Sequence, residues 1–262
     1  MSRISVYIIA YNEAEKVRAA IESALWADEI VLADSNSTDN TAQIAESLGA
    51  RVVQIEFKGF GDLRNQAVAA CTHEWIFSLD ADERATPEVR DEVLATIAKA
   101  DALDAYQVPR RNYFMGRWIK HSGWYPNYRQ PQLFRKGALV YENDQVHENW
   151  HLVRGGKVGQ LRNAIWQMPF RNLEEALRKT NRYSTLSLYR LQHKKPGMGM
   201  ALAHGGWAFF KHYILKLGVL DGWAGFVIAF GYLEQTFYRY AKRYEQWRAW
   251  PEPTQAPVRK EK

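Results

Sequence analysis

From residue 3 to about residue 109 the chain alternates between two hydrophobic periods. Apolar runs of strand length, ISVYIIA (4–10), EIVLADS (29–35), RVVQIEF (51–57) and EWIFSLD (74–80), are each followed by a helix-periodic stretch: EAEKVRAAIESAL, NTAQIAESLG, DLRNQAVAAC and PEVRDEVLATIAKA. This βαβα order predicts a mostly parallel, open α/β sheet, because runs apolar throughout suit strands covered by helices on both faces. Thr86 followed by Pro87 and Glu88 reads as an N-cap with proline at the first helical position. The strand that runs into SLDADE (78–83) has therefore ended before residue 86. Its acidic cluster, Asp80, Asp82 and Glu83, lies in a loop at the carboxyl end of a strand, where open α/β sheets bind ligands.

Residues 105–150 hold the short strand-like pieces AYQVP, PQLFRKG and ALVYEN around the aromatic and basic loop RRNYFMGRWIKHSGWYPNYRQ, and residues 110–170 read as an acceptor-side mixed-sheet extension. Residues 171–248 are helical in pattern, broken at KKPGMG and at GVLDG, and residues 249–262 read as a disordered tail rich in proline and charge. Phe226, Phe230, Leu233, Phe237, Tyr240 and Tyr244 recur at helical spacing, as a core-facing stripe or an interfacial helix would require. The longest apolar piece, GWAGFVIAFGYL, is shorter than the roughly 20 residues a spanning helix needs, so no transmembrane helix is expected. Aromatic density among lysines and arginines predicts peripheral contact with the cytoplasmic membrane surface.

Charge narrows the function classes only a little. A net charge of +6 and a pI of about 9.3 suit nucleic acid, an anionic membrane face or a phosphate-rich substrate. The basic residues are not gathered into one stripe with a recognisable module, which argues against a nucleic-acid-binding protein. The single cysteine, Cys71, excludes an internal disulfide framework, and the N-terminal stretch has neither a long apolar core nor a small-residue cleavage site. A cytoplasmic chain is expected.

Carboxylates as close as Asp80 and Asp82 repel unless a cation sits among them or one takes a proton. A hard divalent cation favours oxygen ligands and often uses one or two carboxylates, with phosphates and water completing its shell. Asp80-Ala81-Asp82 fits that need; a solvated acidic loop near a helix N-terminus is the alternative. Two further strand ends carry polar clusters: Tyr11, Asn12 and Glu13 after the first, and Asp34, Ser35, Ser37 and Asp39 after the second. DSNSTDNT also suits a turn and helix cap. Asp34, however, ends the buried run itself, where a carboxylate needs a partner such as a ribose hydroxyl or a base N–H.

In this order, IIAYNEA, ADSNSTDNT, GDLRNQA and SLDADE resemble the nucleotide-sugar half (residues 1–109) of the family 2 glycosyltransferases, which invert at the anomeric carbon and have the GT-A fold. The resemblance implies that Ala10, Tyr11, Asn12 and Asp34, with Glu13 beside them, hold the nucleoside. It implies that Arg64 lies near the base or diphosphate, and that Asp80, Ala81 and Asp82 face the ribose and a Mg²⁺ or Mn²⁺ ion on the diphosphate. The later stretches GWYPNYRQPQLFRKG (123–137), VHENW (146–150), RKTNRYS (178–184) and KLGVLDGWAGF (216–226) are similar to bacterial enzymes that add glucose to the heptose region of the lipopolysaccharide core. This implies a UDP-sugar donor and a lipid-linked oligosaccharide acceptor; a polyprenyl-phosphate or other cell-surface polysaccharide acceptor is the alternative.

Inverting transfer needs one base for the acceptor hydroxyl, and a diphosphate leaving group needs a cation more than an acid. In ENDQVHENW the candidate bases are Glu148 and Asp144, with His147 as a metal or diphosphate ligand; the resemblance favours Glu148, since the base of that family follows the sheet extension, and leaves Asp144 in reserve. Arg129, Arg135, Lys179 and Arg182 offer charge to phosphates, and Trp124 and Tyr125 offer rings to a sugar face or to packing.

Overall fold

The four apolar runs form β1 (Ile4–Ala10), β2 (Glu29–Asp34), β3 (Arg51–Gln54) and β4 (Trp75–Asp80), all parallel and in the spatial order β4-β1-β2-β3. The computed structural model describes residues 2–142, 149–193, 195 and 197–248. They divide into two units between Arg171 and Asn172.

In the first unit, α1 (Ala14–Glu22), α2 (Thr41–Ser47), α3 (Phe60–Ala70) and α4 (Pro87–Ile97) follow the four strands. Strand side chains alternate between faces. Val6, Ile8, Leu32, Phe77 and Leu79 pack with Val17 and Ile21 of α1 and Val89 and Val93 of α4. Tyr7, Ile9, Val31 and Ile76 pack on the other face with Leu63 and Ala67 of α3. Both faces of β1 are thus covered, as its uninterrupted apolar run requires.

The rest of the unit comprises β5 (Glu83–Arg84), β6 (Ala105–Gln107), β7 (Arg110–Phe114), β8 (Arg117–Trp118), β9 (Leu133–Arg135), β10 (Leu139–Tyr141), β11 (Trp150–Leu152), β12 (Gly159–Gln160) and β13 (Ile165–Gln167). β9 enters the main sheet antiparallel to β4 and β6, giving the order β12-β6-β9-β4-β1-β2-β3. A second sheet, β5-β13-β7-β8, begins at β5 directly after Asp82, and β10 pairs with β11. The expected N-cap at Thr86 is present: its hydroxyl accepts the Val89 N–H at 3.3 Å. Thr86→Ala should lower stability in urea unfolding by about 1 kcal/mol, the usual worth of such a cap.

The second unit contains α5 (Leu173–Leu186), α6 (Met198–Phe210) and α7 (Gly222–Arg248). Lys242 of α7 donates to Asn181 Oδ1, Ser184 Oγ and Thr185 Oγ1 of α5. The aromatic stripe of α7 divides along its length. Tyr240 is buried with Leu191 and Ala201, and Phe237 packs against them, whereas Phe226 and Phe230 are exposed. Among the described residues no single helix is long and apolar enough to cross a membrane. The pair Met198–Leu215 and Gly218–Arg248, bent by 72°, passes that test only together.

Candidate active site

The register of the sheet aligns Ile9 with Asp80 and Ala10 with Asp34, so β1, β2 and β4 end level on one rim. The loops after β1 and β2 are zipped together there. Asn12, in the left-handed region at φ 54° where asparagine is tolerated, accepts the Thr38 N–H on Oδ1 at 2.8 Å and donates its own N–H to Ser37 Oγ at 2.9 Å. The Glu13 and Ala14 N–H groups donate to Thr41 Oγ1 and Asp39 Oδ2 at 2.9 and 3.2 Å. Tyr11 is left exposed, and Ala10 is buried.

Asp34 is fully buried, and its carboxylate accepts the Ser37 N–H at 3.0 Å and the Ser37 hydroxyl at 2.5 Å. The chain itself therefore supplies a partner, where the sequence pointed outward to a ribose or base. The neighbouring Ser35 hydroxyl is buried and has no hydrogen-bond partner among the described residues.

Around SLDADE, two arginines relieve the crowding of carboxylates. Arg64 of α3 is buried; its Nη2 lies 2.8 Å from Asp80 Oδ1, its Nη1 donates to Ser78 Oγ at 3.1 Å, and its guanidinium sits over the Tyr141 ring. Burial by itself would raise the Asp80 carboxyl. The charges of Arg64, Arg110 and Arg129 outweigh that and hold it below the usual carboxylate range. Glu83 is as deeply buried as Arg110, whose Nε is 2.6 Å from its Oε1, and its Oε2 accepts the Asp80 N–H at 3.0 Å and Gln132 Nε2 at 3.2 Å. Burial pushes the Glu83 carboxyl up, against the pull of Arg110. Asp82 remains half-buried, with its Oδ1 accepting from Gln167 Nε2 at 3.2 Å and its carbonyl accepting the Met168 N–H at 2.9 Å.

Arg110 and Asn112 of β7 also hold the aromatic loop, through Asn127 O at 3.4 Å and Trp124 O at 2.8 Å. Arg129 at its end is exposed, and its charge reaches Asp80. Trp124 packs edge-on against Phe114, and Tyr125 against Trp118, so both rings take part in packing. Arg135 corrects the sequence reading. The antiparallel entry of β9 sets it opposite Trp75, at the start of β4, about 16 Å along the strand from Asp80 at ~3.3 Å per residue. There it pairs with Glu74 and Asp104 and lies over the Trp75 ring. In the second unit Lys179 pairs with Glu175, and Arg182 is exposed.

Asp144, His147 and Glu148 lie outside the described residues. The residues on either side are held together by the Glu142 N–H, which donates to Asn149 O at 2.8 Å. Asn65, next to Arg64 on α3, accepts the Tyr141 N–H at 3.0 Å and donates to Tyr141 O at 2.8 Å. Successive residues of one helix thus grip Asp80 and the strand leading to residue 142. Sequence reasoning missed Asn65, Arg110, Gln132 and Gln167. Glu83 stood in the motif, but nothing local marks an arginine 27 positions later as its partner.

Among the described residues no group of three or more His, Cys, Asp and Glu side chains could enclose a metal ion. Asp80 and Asp82 offer partly exposed carboxylates, the hard oxygen donors that suit Mg²⁺ or Mn²⁺ when phosphate and water complete the shell. The residues present therefore fit an ion that arrives with a diphosphate.

Comparison with known proteins gives this rim a family. Residues 5–213 match the model of glycosyl transferase family 2. An uncharacterized glycosyltransferase of Rickettsia bellii is 31% identical over 253 residues, covering 92% of this chain and 85% of its own length. The lipopolysaccharide core biosynthesis glycosyltransferase LpsC of Rhizobium meliloti is 33% identical over 195 residues, 70% of this chain and 69% of LpsC. Glucosyl-3-phosphoglycerate synthase of Mycobacterium tuberculosis, crystallised with Mn²⁺, UDP and glucosyl-3-phosphoglycerate, is 25% identical. That likeness has a TM-score of 0.38, covers 42% of this chain and 44% of the synthase, and carries no argument about substrate or metal. The family match begins in β1 and ends in the segment after α6, so it takes in nearly all of the first unit and the second as far as α6: the chain belongs to glycosyl transferase family 2 and is a glycosyltransferase of the GT-A fold.

Proposed function

We propose that the enzyme transfers a hexose, glucose first among candidates, from a UDP-sugar to the lipopolysaccharide inner core or a similar cell-envelope glycolipid, with inversion at the anomeric carbon. The observation that carries this reading is the double grip of α3: Arg64 on the donor-side carboxylate Asp80, and Asn65 on Tyr141, the described strand end before ENDQVHENW. The likeness to LpsC supports the class of acceptor.

On this reading the rim formed by Ala10, Tyr11, Asn12, Glu13 and Asp34 receives the nucleoside, and the exposed Arg129 meets the diphosphate. Asp82, with Asp80 and Ala81 beside it and His147 as a further ligand, would hold Mg²⁺ or Mn²⁺, which supplies positive charge for the leaving diphosphate. Glu148, or Asp144 in its place, takes the acceptor hydroxyl's proton as that oxygen attacks C1. The enzyme works at the cytoplasmic face of the inner membrane, where soluble donor and lipid-linked acceptor meet.

The test is a screen of UDP-, GDP- and dTDP-sugars for hydrolysis and transfer with Mg²⁺ or Mn²⁺. Metal-dependent turnover of UDP-glucose is expected, and turnover of none of them would sink the reading. In the same assay Glu148→Gln should lower turnover by roughly two to four orders of magnitude, the usual worth of a general base, with UDP affinity unchanged. If Asp144→Asn is the inactive variant instead, the base is Asp144. If both variants stay active, the base lies outside this segment.

A further inference from the structure

We infer that the joint between α6 and α7 is an apolar wedge that enters one leaflet of an anionic lipid membrane. The inference rests on the membrane-bound acceptor proposed above for its purpose; its observations are separate.

Leu215, Leu217, Leu220 and Trp223, all at the joint, are 57%, 49%, 58% and 57% exposed, and Trp207 and Phe226 flank them at 56% and 46%. Soluble monomers seldom leave large apolar side chains clustered in this way without a partner surface. The joint is also ordered by its own packing. Lys211–Leu215 continues α6 as a π-helix, Leu217 takes a left-handed φ of 54°, and a 3₁₀ turn, Gly218–Asp221, leads into α7. That turn lies directly on α7: a Cβ at Gly225 would come within 1.9 Å of the Gly218 carbonyl oxygen. The exposed leucines are therefore presented on a packed turn.

Charge complementarity identifies the occupant as an anionic lipid surface. From Met198 to Leu233 the sequence holds one acidic residue, Asp221, and it is 2% exposed. Lys211 and Lys216 lie on this stretch without an ion-pair partner among the described residues. Burial in apolar surroundings, and then the charge of Lys211, lowers the pKa of Lys216. An anionic headgroup between the two lysines would relieve that repulsion, as no acidic side chain here does. The 72° bend and the want of a single spanning helix among the described residues fit a segment that enters and returns on one side. An interfacial helix buries its apolar face by ~5–10 Å.

The test is co-sedimentation of the full chain with vesicles of phosphatidylcholine alone and of phosphatidylcholine mixed with phosphatidylglycerol. The wild type should pellet with the anionic vesicles and be released by salt. Leu217→Asp with Leu220→Asp should lower partitioning at least ~10-fold, since it sets charge where ~5–10 Å of burial is needed. Lys211→Gln with Lys216→Gln should lower it about fivefold per lysine on anionic vesicles only. UDP binding should be unchanged in both variants. No binding to anionic vesicles overturns the inference, as does binding that both variants retain. A dimer dissociated by the aspartates, with no vesicle binding, overturns it in favour of a second copy. Vesicle binding without turnover of any nucleotide sugar leaves the wedge standing and removes the function proposed above; turnover without vesicle binding does the reverse.

Discussion

Replacing Arg110 with methionine should cost the fold about 3–5 kcal/mol in denaturant unfolding, because it leaves the buried Glu83 carboxylate without its cation. The environment already pushes the Glu83 carboxyl up, and losing Arg110 removes the charge that opposes this, so Glu83 should titrate at higher pH in the variant than in the wild type. Function should fall too, since Glu83 Oε2 holds the Asp80 N–H and so fixes the turn on which Asp80 and Asp82 stand. The double variant Glu83→Gln/Arg110→Met removes both charges at similar volume and should regain more than half of the lost stability. A single variant within ~1 kcal/mol of wild type, the range of exposed ion pairs, would show that the pair is no keystone. Asp80 adds an acid limb. Its folded pKa is depressed, so the stabilisation from Arg64 is fully present above the ordinary carboxylate value and is lost as pH falls through the lowered one. Arg64→Met should flatten that limb.

Asp82→Ala should separate chemistry from folding. Asp82 is half-buried, and its carboxylate accepts from the Gln167 amide, so the loss of stability should stay near ~1 kcal/mol. Turnover should fall by roughly three orders of magnitude or more, because metal stabilisation of a leaving diphosphate is worth several kcal/mol. Calorimetry with UDP should show strengthening by Mn²⁺ in the wild type and none in the variant. Asp80→Ala should differ by also losing stability, since it strands the buried Arg64. If Mn²⁺ still strengthens UDP binding after Asp82→Ala, Asp82 does not hold the ion.

The sheet and its rim were legible because their signals are local. An uninterrupted apolar run such as ISVYIIA reports burial on both faces, and β1 spans those same seven residues with every one buried. Thr86-Pro87 marked a cap by short-range geometry alone, and the position of Asp34, Asp80 and Asp82 at strand ends followed from counting the runs. Which charges meet is a different kind of fact. Arg64 pairs with Asp80, and Arg110 with Glu83, across 16 and 27 positions, through the packing of α3 on the sheet and the placing of β7 next to β13, which itself pairs with β5. Arg135 carried the same charge into the same reading, yet the antiparallel sense of β9 sent it to the far end of β4. The stripe on α7 shows the same limit, being buried at Tyr240 and exposed at Phe226 within one periodic pattern. Periodicity records which side of an element avoids water; strand direction, register and the length over which a neighbour lies against it are set by the whole chain's packing, and they decided where each charge and each ring came to stand.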